Sequence, residues 1–176
     1  MQKIILYTLA AIAVMGCSGD ETTVSKESLP SAVKSPASWK HYKHIDKFDD
    51  STSFIAELPA KAIDRAEAET PVLVAICDGH NTSVLIDWRR FIGIGKIYVA
   101  TRLDKNHARH EESRISKNNQ ATYMLDAAPK LKELLQEQGE ILIASVHPDG
   151  GTEIFAEFEL AGAADALKDI RAACNW

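Results

Sequence analysis

Cys17 is the residue whose surroundings specify a reaction. Val14-Met15-Gly16-Cys17 places an aliphatic side chain three positions before a cysteine and a glycine directly before it, which resembles a lipobox. The chemistry needs a thiol, because diacylglycerol is joined to sulfur as a thioether and a signal peptidase then cuts ahead of the modified residue. Upstream, Lys3 precedes an apolar run from Ile4 to Met15. At about 12 residues, that run is too short to cross a hydrocarbon core of ~30 Å as a helix and has the length of a secretory signal. Residues 1–16 are therefore expected to be a cleaved lipoprotein signal peptide, with Cys17 as the lipidation site. Ser18 stands where an aspartate would signal inner-membrane retention, so the expected location is the outer membrane, facing the periplasm. Each buried methylene contributes about 0.8 kcal/mol, so two or three acyl chains make a stable anchor and the membrane becomes a partner.

With Cys17 set aside, Cys77 and Cys174 remain, in a chain expected in an oxidising compartment. Only one pairing exists, and a structural disulfide is the expectation. Two buried free thiols or a redox couple are the alternatives; a redox couple is disfavoured because no CxxC spacing occurs.

Other groups that could do chemistry are weaker. His107-Ala108-Arg109-His110-Glu111-Glu112 is the densest set of metal-ligand types, but a zinc site needs three or four converging ligands, and neither an HExxH motif nor a spare cysteine accompanies it. A solvated loop is expected there. His41 and His44, three apart in a strand, point to opposite faces. Asp46, Asp49 and Asp50 lack the spacing and distal glutamate of a calcium-binding loop and read as a turn. There is no GxSxG nucleophile motif and no glycine-rich phosphate loop. No catalytic residue, metal or cofactor is expected. Asp87-Trp88-Arg89-Arg90-Phe91 joins aromatic and basic groups at a strand end, so Trp88, Arg89 and Arg90 are candidate partner-binding residues. The bland alternative is that Trp88 and Phe91 pack inside while the arginines are solvated. Nucleic acid is not expected as a partner: a net charge of −5 argues against a face basic enough to neutralise phosphates.

The elements that must position these groups follow from pattern. Residues 17–38 are rich in Ser, Thr, Glu, Lys and Pro without periodicity, the composition of a disordered tether with an r.m.s. reach of roughly 25 Å. One domain is expected over 39–176. Trp39 to Ile45 approximates strand alternation, with Trp39 and Tyr42 to Ile45 as candidate core residues, and Asp49-Asp50-Ser51 turns the chain into a returning strand at Phe54 to Leu58. A polar exit loop follows from Lys61 to Thr70. Pro71 to Cys77 is a continuous apolar run, and Asp78-Gly79-His80-Asn81 turns it into Thr82 to Trp88, the clearest hairpin in the chain. Ile97 to Leu103 adds a strand, and Arg114 to Leu125, broken by Lys117-Asn118-Asn119, reads as two short ones. Asp126 can cap a helix over Ala127 to Gln138 that stops at Gly139. Ile141 to Val146 and Ile154 to Leu160 are joined by Pro148-Asp149-Gly150-Gly151. A final helix is expected from Ala163 to Ala173, with Leu167, Ile170 and Cys174 on one stripe. The fold class is α+β, a mainly antiparallel β domain with one internal and one C-terminal helix, stapled by Cys77–Cys174 to a central strand.

The layout from Trp39 to Trp176 resembles the TagO/VasI family of periplasmic proteins associated with type VI secretion. The residues that carry the resemblance are Trp39 with Asp46 and Asp49-Asp50; Leu73 to Cys77 followed by Thr82 to Trp88; Val99 to Asp104; and Phe158 to Gly162 with Ile170 to Trp176. Ile76 stands where that family usually has an arginine, and His107 to His110 occupy a region where it usually has a tryptophan. The resemblance implies an exported domain that is not an enzyme. The lipobox, the tether and a compact domain without catalytic groups lead to the expectation of an accessory domain with an envelope protein partner, near an assembly such as a type VI secretion apparatus. The alternative is a defensive lipoprotein, either an immunity protein or a prophage superinfection-exclusion factor that inhibits a periplasmic partner; small size and acidity suit an inhibitor of a basic protein.

Overall fold

The computed structural model describes residues 38–61, 69–136 and 140–176. The signal segment, Cys17, the tether up to residue 37, most of the polar exit loop and Gly139 lie outside them. Strand periodicity dominates what is described. β1 (Lys40–Ile45) and β2 (Thr52–Pro59) form one hairpin, and β3 (Val72–Asp78) and β4 (Asn81–Asp87) a second. β5 (Lys96–Leu103), β6 (Arg109–Ile115) and β7 (Ala121–Tyr123) form a meander; α1 (Ala127–Gln136) leads to the pair β8 (Ile141–Val146) and β9 (Ile154–Glu159). The chain then enters α2 (Ala163–Ala166) and α3 (Lys168–Cys174). All nine strands join one open antiparallel sheet in the order β1-β2-β3-β4-β7-β6-β5-β8-β9.

Register decides which side chains make the core. Ala56 pairs with Ala75 and Ala75 with Val84; Leu58 pairs with Leu73 and Leu73 with Ile86. On the far half, Val99 faces Val146, Leu103 faces Leu142, and Leu142 faces Phe158. All of these are buried on one face of the sheet. α3 covers that face over β2, β3 and β4 with Ile170, joined by Leu167 at the α2–α3 junction, and α1 covers it over β4 with Leu131 and Leu134. β3 is buried on both faces from Val72 to Ala75, which is why its sequence is a continuous apolar run.

Cys77 and Cys174 form the disulfide, with Cα atoms 5.9 Å apart. The bond ties α3 to β3, which is an interior strand but third from an edge rather than central. A second tie closes a corner of the sheet. The backbone N–H of Lys61, just after β2, donates to the Glu157 carbonyl of β9 at 2.7 Å, and its ammonium reaches the Glu159 and Glu157 carboxylates at 3.1 and 3.5 Å. Those contacts, Glu159 foremost, hold the Lys61 ammonium above its usual pKa, but the side chain is well exposed and the ion pairs themselves add little.

Four expectations are corrected. The Tyr42 to Ile45 stretch is not core: every residue of β1, an edge strand, is exposed on both faces of the sheet. His107 to Glu112 is not wholly a loop, since Arg109 onward is β6. Its inward register positions are polar, and α1 supplies their partners: Glu133 binds Arg109 at 2.9 Å, and the mostly buried Lys130 approaches Glu111 at 4.0 Å. The terminal helix is interrupted at Leu167, which ends α2 and precedes α3. Phe91, finally, is outside the core, with 55% exposure.

Candidate interaction surface

The chain between β4 and β5 makes a hydrogen-bonded corner with its apolar side chains split between inside and outside. Trp88 is 0% exposed and donates its indole N–H to the Thr122 hydroxyl at 3.0 Å. Ile92, also 0% exposed, donates its backbone N–H to Asn119 O at 2.9 Å. The backbone N–H of Trp88 donates to Gln120 O at 2.8 Å, and that of Ile115 to Gly95 O at 2.9 Å. The loop is thereby laid along the β6–β7 turn. Gly93 lets the β8–β9 turn approach: a Cβ there would sit 2.8 Å from an Asp149 carboxylate oxygen, and its φ of +135° is one that side-chain-bearing residues rarely adopt.

Held between these anchors, Phe91 and Ile94 point to solvent, at 55% and 75% exposure. Tyr98, near the start of β5, is also exposed. Arg89 folds back on its own strand end: its backbone N–H donates to Asp87 Oδ1 at 2.9 Å and its Nε lies 3.2 Å from Oδ2. Arg90 is half-buried and makes no ion pair among the described residues. Of the three candidate partner-binding residues, Trp88 is therefore corrected to a core residue, Arg89 is already paired, and Arg90 remains beside the outward Phe91. Sequence reasoning missed Ile94, which stands in Ile92-Gly93-Ile94-Gly95; the alternation of inward and outward isoleucine between glycines was the available signal.

The other candidates do not assemble. His107 and His110 are both exposed, and no group of three His, Cys, Asp or Glu side chains that could hold a metal ion occurs among the described residues. Beside His107 lies a cleft of about 20 Å³, the size of one water, with Lys130 and Glu133 in its wall. Lys130 bridges Glu133 and Glu111 at 3.4 and 4.0 Å, so this cluster has internal partners and a structural part to play. The Asp46-to-Ser51 turn uses its carboxylates on its own backbone: Asp46 accepts from Phe48 N at 2.7 Å and Asp49 from Ser51 N at 2.9 Å. The Ser51 bonds lower the Asp49 pKa. Asp104 is a strand cap, its carboxylate accepting from Glu140 N and Ile141 N at 3.0 and 2.9 Å. A broad groove of about 600 Å³ lies between α1 and α3, lined by Lys132, Lys168, Arg171 and Trp176 among others. No helix of the described residues is long and apolar enough to cross a membrane.

Neither a family model nor a curated protein or solved structure matches this chain. Function must be argued from the residues themselves.

Proposed function

We propose that this protein is an outer-membrane lipoprotein facing the periplasm, held by acyl chains on Cys17, whose domain acts by binding a protein of the cell envelope and not by catalysis. The observation that carries the binding role is the corner at Arg90, Phe91 and Ile94. Two large apolar side chains are held in solvent by a loop that buries its neighbours Trp88 and Ile92 completely. Such a preorganised loop loses little conformational entropy on association, and exposed apolar groups beside an arginine are the composition of an interface centre. The resemblance to the TagO/VasI proteins supports an envelope assembly such as a type VI secretion apparatus as the place where that partner is found.

Replacing Phe91 and Ile94 together with aspartate tests the corner. Both side chains are mostly outside the core, so the unfolding free energy of the variant, from urea titration, should stay within about 0.5 kcal/mol of the parent's. A partner that co-purifies with the parent from solubilised envelopes should be reduced at least tenfold with the variant. Undiminished recovery with the variant would remove the corner from the binding surface.

A further inference from the structure

The two edges of the sheet are treated differently. β9 is met along its outer side by the Lys61 backbone and ammonium. β1 is paired only with β2, and among the described residues no hydrogen bond reaches its other edge. In an antiparallel ladder, alternate residues turn both N–H and C=O away from the partner, so three of the six residues of β1 offer backbone groups outward. That row is a template for another strand.

Its chemistry is unusual for a chain of net charge −5: five of the eight residues from 40 to 47 are Lys or His, namely Lys40, His41, Lys43, His44 and Lys47. None of the three lysines makes an ion pair among the described residues. All six β1 side chains are exposed, on both faces of the sheet. A strand added beside β1 would gain no apolar cover from the core, so it must itself be polar on both faces, and the charge it meets is positive.

We propose that β1 is a docking edge for an extended acidic segment of a partner protein, which joins the sheet as a further strand opposite residues 40–45. Backbone hydrogen bonds would supply the attachment, and carboxylates set against Lys40 and Lys43 the selectivity. A second copy of this chain is the poorer occupant, because antiparallel self-pairing sets the lysines and histidines of one copy among those of the other, the device by which edge strands resist self-association. Asp46, Asp49 and Asp50 mark where complementarity to an acidic strand ends. Beyond it, Phe48 is fully exposed at the turn, held there by the bond from its N–H to Asp46. The proposal rests on reading the domain as a binding module, but not on the corner at Phe91.

The test uses the full lipidated chain in a zwitterionic detergent and two labelled synthetic peptides, one a Glu-Glu-Thr repeat that carries glutamate on both faces of a strand, the other the same repeat with lysine in place of glutamate. Fluorescence anisotropy should show binding of the glutamate peptide, weakened at least tenfold by Lys40→Glu with Lys43→Glu and by raising salt from about 0.05 to 0.5 M, since exposed charges are screened. In the parent chain, bound peptide should slow hydrogen exchange at alternate amides of β1, a readout that does not depend on how the variant folds. The proposal is overturned by equal binding of the lysine peptide, by no binding, by protection elsewhere than β1, or by sedimentation showing that β1 instead pairs with a second copy. None of these results bears on the corner, and substitution of Phe91 and Ile94 should leave peptide binding unchanged.

Discussion

Serine at both Cys77 and Cys174 should lower the stability of the domain by about 4–5 kcal/mol, the loop-closure entropy expected when a link spanning 97 residues is removed from the unfolded chain. The loss should appear as a fall in the urea midpoint with a steeper slope, because the unfolded chain without the cross-link exposes more surface. Reduction of the parent protein should reproduce it. The structural consequence is specific: α3 lies against β2, β3 and β4, with Ile170 buried, and the disulfide is its covalent hold on β3. Exchange at α3 amides should rise more than at β8 or β9. An unchanged midpoint in the double variant would mean that the pairing contributes no stability in solution.

Trp88→Ala should cost about 3–5 kcal/mol, because it empties the site of a fully buried large side chain and strands the Thr122 hydroxyl that accepts from the indole. Trp88→Phe keeps most of the volume and loses the hydrogen bond, so a smaller loss, on the order of 1–2 kcal/mol, is expected. Chemical denaturation of both variants checks the order. If Trp88→Ala unfolded at the parent's midpoint, the indole would have to lie outside the core, and the corner would need to be drawn again. The same result separates this residue from its neighbours. Substitution of Phe91 or Ile94 should affect a partner and not the fold, whereas Trp88 should reach a partner only through the fold.

The parts of this fold that were readable from sequence are those whose burial and polarity agree. Pro71 to Cys77 could be read as a buried strand because both its faces are covered, and the hairpin into β4 followed from Asp78-Gly79 between two apolar runs. Cys77 and Cys174 could be paired by count alone. β6 was only partly readable, for a physical reason. Its inward register positions, Arg109, Glu111 and Ser113, are polar, and the partners of the first two, Glu133 and Lys130, come from α1 much later in the chain. β1 misled in the opposite sense: Tyr42 and Ile45 suggest burial, but they lie on opposite faces of an edge strand and both are exposed. At the corner, residue type alone could not say that Trp88 turns in while Phe91 turns out. That choice is made by backbone hydrogen bonds to the β6–β7 turn, between residues some thirty positions apart. Of the two arginines, Arg89 is exposed and Arg90 half-buried, and the engagement of Arg89 by Asp87 belongs to a left-handed backbone at Arg89, φ 58°, that no pattern announced.

The binding reading and the anchor reading meet at Cys17, and one measurement addresses both. The protein would be captured from its native envelope in the wild-type form and as Cys17→Ser, with the captured proteins identified and the amino-terminal peptide weighed. The account predicts an acylated Cys17 peptide and recovery in the outer-membrane fraction for the wild type, with at least one envelope protein captured in comparable molar amount. It predicts that Cys17→Ser is unacylated, soluble in the periplasm, and captures that protein far less. An unmodified Cys17 in the wild type would contradict the anchor, and a lone small toxin or phage protein captured equally by both forms would replace the accessory role with a defensive one.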